Sequence, residues 1–428
     1  MEMKKYKLGE LMDVTRGQSL SGEYYSKSGN LVRLTLGNFD YHNNCFKDDK
    51  SKDNLYFTGS VKKEFILKKD DIITPLTEQA IGLLGSTAKI PCSGKYIQSQ
   101  DVALIKCNKK LNPDFAFYLI PSKIVRNQLS AAAQQTKIRH TSPDKIKDCS
   151  VWVPEYSEQE KIGKLLSRID NKIAINRQIN RNLEELAKQI YDYWFVQFDF
   201  PNEEGKPYKS SGGKMIWNET LKREIPESWE SGKIGDLFES QAGFAFKSSE
   251  WSHFGYPVLT IKNIQNDGSV SFNDTTFIKN YNDKLEKYTV NNGNMIFAMS
   301  GNTIGKIGII ATNEKNVLIN QRVLILRTTT STIAFPYFIV SNQNVQNLVF
   351  QLGANSVQPN ISEDKFKNIG ICIPNRKILQ LFNVKLTSVF EKIISNRISI
   401  QELTTLRDSL LPLLMNGQVT LNSCLSHD

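Results

Sequence analysis

The stretch KIAINRQINRNLEEL at residues 172–186 returns as KIISNRISIQELTTL at residues 392–406, with Lys, Ile, Asn, Arg, Leu and Leu in the same places. A chain that writes one helix twice, 220 residues apart, is built from two copies of one unit. The echo runs backwards at the same offset: SPDKIKDCSVWVP (142–154) answers SEDKFKNIGICIP (362–374). Further upstream the offset drifts, as loop insertions would make it. KLGEL (7–11) matches KIGDL (233–237), RLTLGN (33–38) matches VLTIKN (258–263), and DDII (70–73) matches GNMI (293–296).

The globular part of each copy reads as β-rich. FILKKDDIITPL, YIQSQDVALIKC, PVLTIKNIQNDGSVSF and VLINQRVLILRT are short alternating or β-branched runs, and Asn266-Asp267-Gly268 is a turn between two of them. NPDFAFYLIPSKIVRNQL (112–129) and FPYFIVSNQNVQNLVF (335–350) add a short helical segment to each copy. The class is α+β: two β-rich domains separated by two long helices that form an antiparallel coiled coil, an internal pseudo-twofold repeat. The expected boundaries are 1–155 for the first domain, 156–197 for the first helix, 198–230 for a linker, 231–375 for the second domain, 376–417 for the second helix and 418–428 for a tail.

The long helices carry a heptad seam. In the first, Ile162, Ile169, Asn176, Leu183 and Ile190 are seven apart, with Leu165, Ile179 and Leu186 near the second core position. Phe382, Val389, Asn396, Leu403 and Leu410 are their equivalents in the second. The expected helix-pair interface is Ile169, Asn176, Leu183, Leu186, Val389, Asn396, Leu403 and Leu406. A polar Asn at the middle of each seam costs stability but fixes register, and antiparallel pairing would bring Asn176 and Asn396 near each other. About 38 residues make a rod of roughly 57 Å, a spacer holding two heads apart.

Composition narrows the partners. The chain has 428 residues, and its 54 Lys and Arg against 44 Asp and Glu give +10, which favours a polyanion. It lacks an apolar run of the roughly 18–20 residues that span a membrane, and MEMKKYKLGELMDV lacks the apolar core of a signal peptide. A cytoplasmic protein that does not engage membranes is expected. Cys45, Cys92, Cys107, Cys149, Cys372 and Cys424 are scattered, without a CxxC pair, so neither zinc nor a disulfide framework is signalled.

Between the copies lies FDFPNEEGKPYKSSGGKMIWNETLKREIPESWE (198–230), in which Trp217, Pro226 and Trp229 look like anchors onto the second unit. Here the chain resembles the DNA-specificity subunit of type I restriction-modification systems. FDFPNEEGKPYKSSGG is similar to that family's connection between first helix and second recognition unit, and IPESWESGKIGDL to the start of such a unit. The first copy departs from the pattern by starting at MEMKKYKLGEL without the Ile-Pro-x-x-Trp lead-in. The resemblance implies that each globular unit is a target recognition domain for double-stranded DNA and that the helices seat two methyltransferase subunits. It also implies motor-nuclease (restriction) subunits, two in a full complex. The chain itself would be non-catalytic and hold no cofactor or metal. S-adenosylmethionine would belong to the methyltransferases, and ATP with Mg to the motor subunits.

The residues offer only lookalikes of catalytic motifs. GNTIGKIG (301–308) has three residues between its glycines, one too few for a Walker loop, and Ile307 follows the Lys. A tight turn that lets Lys306 approach a phosphate fits better. NPDF (112–115) reads as a helix start, with Asn112 as cap and Pro113 in the first turn. Pro143-Asp144 with Asp170-Asn171-Lys172 satisfies a loose nuclease pattern, but Asp170 falls on the long helix, where Phe390 is its equivalent. His42, His140, His253 and His427 form no cluster.

Base reading needs Arg, Lys, Asn and Gln at groove edges, with Lys, Ser and backbone amides on phosphates. The loops offering that mixture are 15–27, 37–44 and 134–142 in the first unit, and 241–251, 259–265, 299–306 and 353–362 in the second. Arg16, Lys27, Asn38, Lys137 and Arg139 are the candidates in one, and Lys247, Asn263, Asn302, Lys306, Asn355 and Gln358 in the other. A two-headed coiled-coil adaptor without DNA specificity is the alternative reading, and salt-sensitive DNA binding would separate the two.

Overall fold

The computed structural model describes residues 2–49, 51–78, 80–132, 139–330, 332–354 and 359–421. The chain divides into two compact units, one formed by residues 1–171 with 403–428 and the other by residues 172–402.

In the first unit, Ala88–Lys89, Ile72–Pro75, Val102–Cys107 and Met12–Arg16 form an antiparallel four-stranded sheet in that order. VALIKC is apolar almost throughout because both faces of its strand are covered. Ile73, Ala88, Val102 and Leu104 enter one core, while Met12, Val14, Ile72, Ala103 and Ile105 enter another, the period of two of a strand. The second unit repeats this order with Ile307–Ile309, Met295–Ala298, Val323–Thr328 and Phe238–Ala242. Its strands divide in the same way: Ile296, Ala298, Val323 and Ile325 to one side, Met295, Phe297, Leu324 and Leu326 to the other.

A second sheet joins each, of four strands in the first unit and five in the second. It contains one parallel pair, Tyr96–Ile97 beside Val32–Arg33 in the first unit and Val258 and Leu259 beside Leu318 and Ile319 in the second. The N-terminal strand Met3–Lys7 is anchored by antiparallel pairing with Ser150–Pro154. Glu230–Lys233 pairs with Gly370–Ile373 in the same way. The SPDK and SEDK echoes are helix caps: Ser142 accepts from the Lys145 amide at 3.2 Å and Ser362 from the Lys365 amide at 3.3 Å.

Trp229 is buried among Phe195, Phe198 and Phe200, as expected of an anchor. Trp217 is not one. It lies opposite Glu224 in the hairpin of Met215–Asn218 with Arg223–Pro226 and is 57% exposed, whereas Met215 and Ile225 of the same hairpin pack on the core.

The first long helix runs Tyr156–Tyr191 and continues into one π turn, Asp192–Val196; the second runs Arg376–Met415. Buried positions step by four and then three: Ile162, Leu166 and Ile169 in the first unit, then Ile173, Asn176, Asn180 and Ala187 in the second. Ile169, Asn176, Leu183, Val389, Asn396 and Leu403 are buried or half-buried. Leu186 and Leu406 are not interface residues. They are 48% and 47% exposed, because the second core position follows the first by four residues and places the residue at three on the flank.

The central asparagines lie about one turn apart and bond to other partners rather than to each other. Asn396 donates to Asn180 Oδ1 at 2.8 Å, Asn180 donates to the Ile393 carbonyl at 3.2 Å, and Asn176 donates to Ser399 Oγ at 3.3 Å. The helices are antiparallel here, but their register sets Asn396 opposite Asn180, one turn from Asn176.

Candidate nucleic-acid interface

The loop that leaves the strand Met295–Ala298 is MSGNTIGK. It closes as a tight turn, with the Ile304 amide on the Gly301 carbonyl (3.1 Å), the Gly305 amide on the Ala298 carbonyl (3.0 Å) and the Ala298 amide on the Lys306 carbonyl (2.9 Å). Gly301 and Gly305 have φ of 73° and 88°, a backbone that favours glycine. A Cβ on Gly305 would also meet Gln346 Oε1 at 2.3 Å. Asn302 is exposed and Lys306 half-exposed at this turn.

The first unit carries the equivalent loop after Ile72–Pro75, with the sequence LTEQAIGL. The Glu78 carboxylate accepts from the Gly82 amide at 2.9 Å and faces Arg139 at 3.4 Å, and Arg139 also donates to Ser130 Oγ at 3.0 Å. Arg139 thus braces its loop. Ile81 is 88% exposed. The repeated sheet order therefore sends different loops, with different side chains, from equivalent strands in the two units.

A second pair of loops is built on a close backbone approach. A Cβ on Gly17 would lie 2.3 Å from the Gln98 and Ser99 carbonyl oxygens, and one on Gly243 would lie 2.3 Å from the Asn320 oxygen. Only glycine lets these strands leave their sheet so near a neighbour. Arg16 stands exposed before the first of these glycines, and Lys247 is exposed beyond the second. Lys27 is exposed and paired with Asp53 at 2.5 Å.

Asn38 and Asn263 do not present their side chains. Both are buried, and each closes a Thr-x-x-Asn turn. The Thr35 amide donates to Asn38 Oδ1 and the Thr260 amide to Asn263 Oδ1, both at 2.8 Å. Asn38 Nδ2 donates to the Lys47 carbonyl at 3.1 Å and Asn263 Nδ2 to the Ser271 carbonyl at 2.9 Å. The RLTLGN and VLTIKN echo is therefore a shared loop clasp rather than a shared base contact. Lys137, Asn355 and Gln358 lie outside the described residues.

The type I restriction modification DNA specificity domain model matches residues 1–185 and 226–405. The chain belongs to this family. It is similar to the HindI specificity subunit of Haemophilus influenzae (23% identical; 98% of this chain, 100% of that one). It is also similar to the MjaIX specificity subunit of Methanocaldococcus jannaschii (24% identical; 72% of this chain, 69% of that one). The type I restriction-modification S subunit from M. genitalium has the same fold, with a TM-score of 0.60 at 16% identity over 97% of this chain and 96% of that one. A specificity subunit is the DNA-recognising, non-catalytic member of its restriction-modification system.

The reactive groups of this specificity subunit fit that role. Burial pushes the thiols of Cys107, Cys149 and Cys372 up to about 11, so they stay protonated near neutrality. Asn112 caps its helix by accepting from the Asp114 and Phe115 amides at 3.0 and 3.2 Å. Asp170, half of the nuclease-like pattern, is held in place by Tyr118 Oη (2.6 Å) and Arg407 Nη1 (2.8 Å). Burial, with Asp170 beside it, pushes the Tyr118 phenol above its ordinary range. The three form a part-buried polar cluster, joined at its rim by Asp408 on Arg407, that the heptad reading misses. Among the described residues, no group of three or more His, Cys, Asp or Glu is placed to hold a metal ion, and no helix is long and apolar enough to cross a membrane.

Proposed function

We propose that this specificity subunit reads a bipartite, asymmetric target in double-stranded DNA, each recognition domain taking one half-site. The observation that carries the reading is that MSGNTIGK and LTEQAIGL leave equivalent strands of one repeated sheet order and differ in the groups they offer. A repeated sheet would set both loops at the same place in their domains, and unlike side chains there would select unlike bases. Asn302 and Lys306 on the first of these loops, and Arg16 and Lys247 beside the close approaches at Gly17 and Gly243, all exposed or half-exposed, are the first candidates for contact. Lys27 and Arg139 reach DNA only by sharing themselves with Asp53 and Glu78.

The long helices dock two copies of one methyltransferase subunit. Supporting this, the exposed apolar residues on the first helix recur on the second: Leu186 and Tyr193 answer Leu406 and Leu413. A repeated surface fits a repeated partner. The methyltransferases bind S-adenosylmethionine and modify adenine in each half-site, flipping the base to reach it. Two motor-nuclease subunits, using ATP and Mg, complete the restriction complex in the cytoplasm.

The test is to co-express the chain with the methyltransferase of its own system and map methylated adenines across the host genome. Two unequal tracts around an unread gap are expected. The absence of new methylation, with a folded, methyl-donor-bound partner, would overturn the reading in favour of an adaptor. Binding of the complex to target DNA should also fall steeply on a log-log plot against salt.

A further inference from the structure

We propose that Tyr118, Asp170 and Arg407 make the first long helix selective for the second helix of the same chain over a copy of itself. Asp170 stands on the first long helix and Arg407 on the second, with Arg407 Nη1 2.8 Å from Asp170 Oδ1 and Tyr118 Oη 2.6 Å from Oδ2. The Arg407 side chain is nearly buried. At the 220-residue offset the three correspond to Phe338, Phe390 and Ala187. Those three share one apolar core in the second unit, where the Phe338 and Phe390 rings meet edge to face at 5.8 Å and Ala187 is fully buried. One packing slot is filled by ions in one unit and by rings in the other.

Apart from Asn180, whose equivalent is Ile400, the rest of the seam does not discriminate between partners. Ile162 and Phe382, Leu166 and Leu386, Ile169 and Val389, Ile173 and Ile393, Asn176 and Asn396, Leu183 and Leu403 are like for like. Two copies of the first helix, paired in the observed register, would build the same seam, but Asp170 would face Ala187. Two copies of the second would set Arg407 against Phe390, and Asn396 would meet Ile400 instead of Asn180. Each wrong pairing sets a part-buried charge against an apolar side chain across the seam: Asp170 would keep only the Tyr118 hydroxyl, and Arg407 only its helix neighbour Asp408, at 2.8 Å. Losing the partner across the seam is unfavourable, and only the pairing within one chain brings acid and base together across it. Two intact chains exchanging helices like for like would form a closed dimer, so the cluster acts against self-association of a repeated chain.

The test uses the full chain, denatured and refolded over a range of concentrations, with mass read by light scattering after size-exclusion chromatography. The variant Tyr118→Phe/Asp170→Phe/Arg407→Ala transplants the second unit's solution into the first. It should keep the wild-type melting temperature yet show a roughly tenfold larger dimer fraction, a modest share of the discrimination that a part-buried charge without its partner across the seam provides. A dimer fraction equal to wild type would overturn the proposal. Should the transplant aggregate, the charge-swapped variant Asp170→Arg/Arg407→Asp decides. Refolding to monomer like wild type, where Asp170→Arg alone does not, supports selectivity through the ion pair; equal behaviour of swap and single variant overturns it.

Discussion

Arg407 Nη1 sits 2.8 Å from Asp170 Oδ1 across two helices, although 237 residues separate them in the chain. Burial works against the guanidinium, but the bond and charge of Asp170, joined by those of Asp408, more than offset it and hold Arg407 above its ordinary value. Removing one partner leaves the other charge poorly solvated. Asp170→Ala should therefore cost about 2–3 kcal/mol of unfolding free energy by denaturant titration. Lys27 and Asp53 form a still shorter pair with both side chains mostly in water, and Asp53→Ala should change stability by less than about 1 kcal/mol. Equal effects would show that the cluster is not buried as described.

The loop clasps give a second contrast. Asn38→Ala and Asn263→Ala each orphan the donors and acceptors of a closed Thr-x-x-Asn turn. Each should lower stability by about 1–3 kcal/mol while leaving the methylated sequence unchanged. Asn302→Ala removes an exposed side chain and should leave stability within about 0.5 kcal/mol. Its effect belongs in the methylation map, as relaxed selection or lost modification in one half-site only.

Much of this architecture was legible because it is written twice. A strand-and-cap pattern such as SPDKIKD or SEDKFKN is local, so comparing the copies finds it. The seam was half legible: periodicity gave Ile169, Asn176, Val389 and Asn396, but Leu186 and Leu406 lie near enough to the seam to look like core. Spacing alone does not separate a residue three positions on from one four positions on, whereas packing does. Asn38 and Asn263 misled for the opposite reason, since a repeated polar residue can serve the loop itself. The clearest unused signal was where the copies disagree together. Tyr118 with Phe338, Asp170 with Phe390 and Arg407 with Ala187 change from polar to apolar as a set, and a set that changes together is one contact.

Acid should expose the linker. Asp199 accepts from the amide and hydroxyl of Ser210 at 2.7 and 2.6 Å, and these bonds hold its carboxyl below the ordinary range. A depressed folded pKa stabilises the fold above the unfolded carboxylate value of about 4 and is lost as pH falls through the folded value. Asp199→Asn should therefore be less stable than wild type at pH 7, with the gap closing in acid. Parallel denaturation curves at about pH 7 and pH 3 would show it; a gap that stays constant would remove Asp199 as the titrating group.

The exposed leucines make the docking surfaces testable one at a time. Leu186 and Tyr193 are seven apart on the first long helix, Leu406 and Leu413 on the second, a spacing that keeps each pair on one helix face. Because both leucines face water, Leu186→Glu and Leu406→Glu should each leave stability within about 0.5 kcal/mol. A charge in the dry centre of an interface is a different matter, since it must be desolvated without a partner. Each single variant should co-purify with one methyltransferase subunit where wild type brings two, and the double variant with none, as read by the mass of the complex. Loss of both copies from either single variant would mean that the methyltransferases hold each other. Retention of both by the double variant would move the docking site off this face.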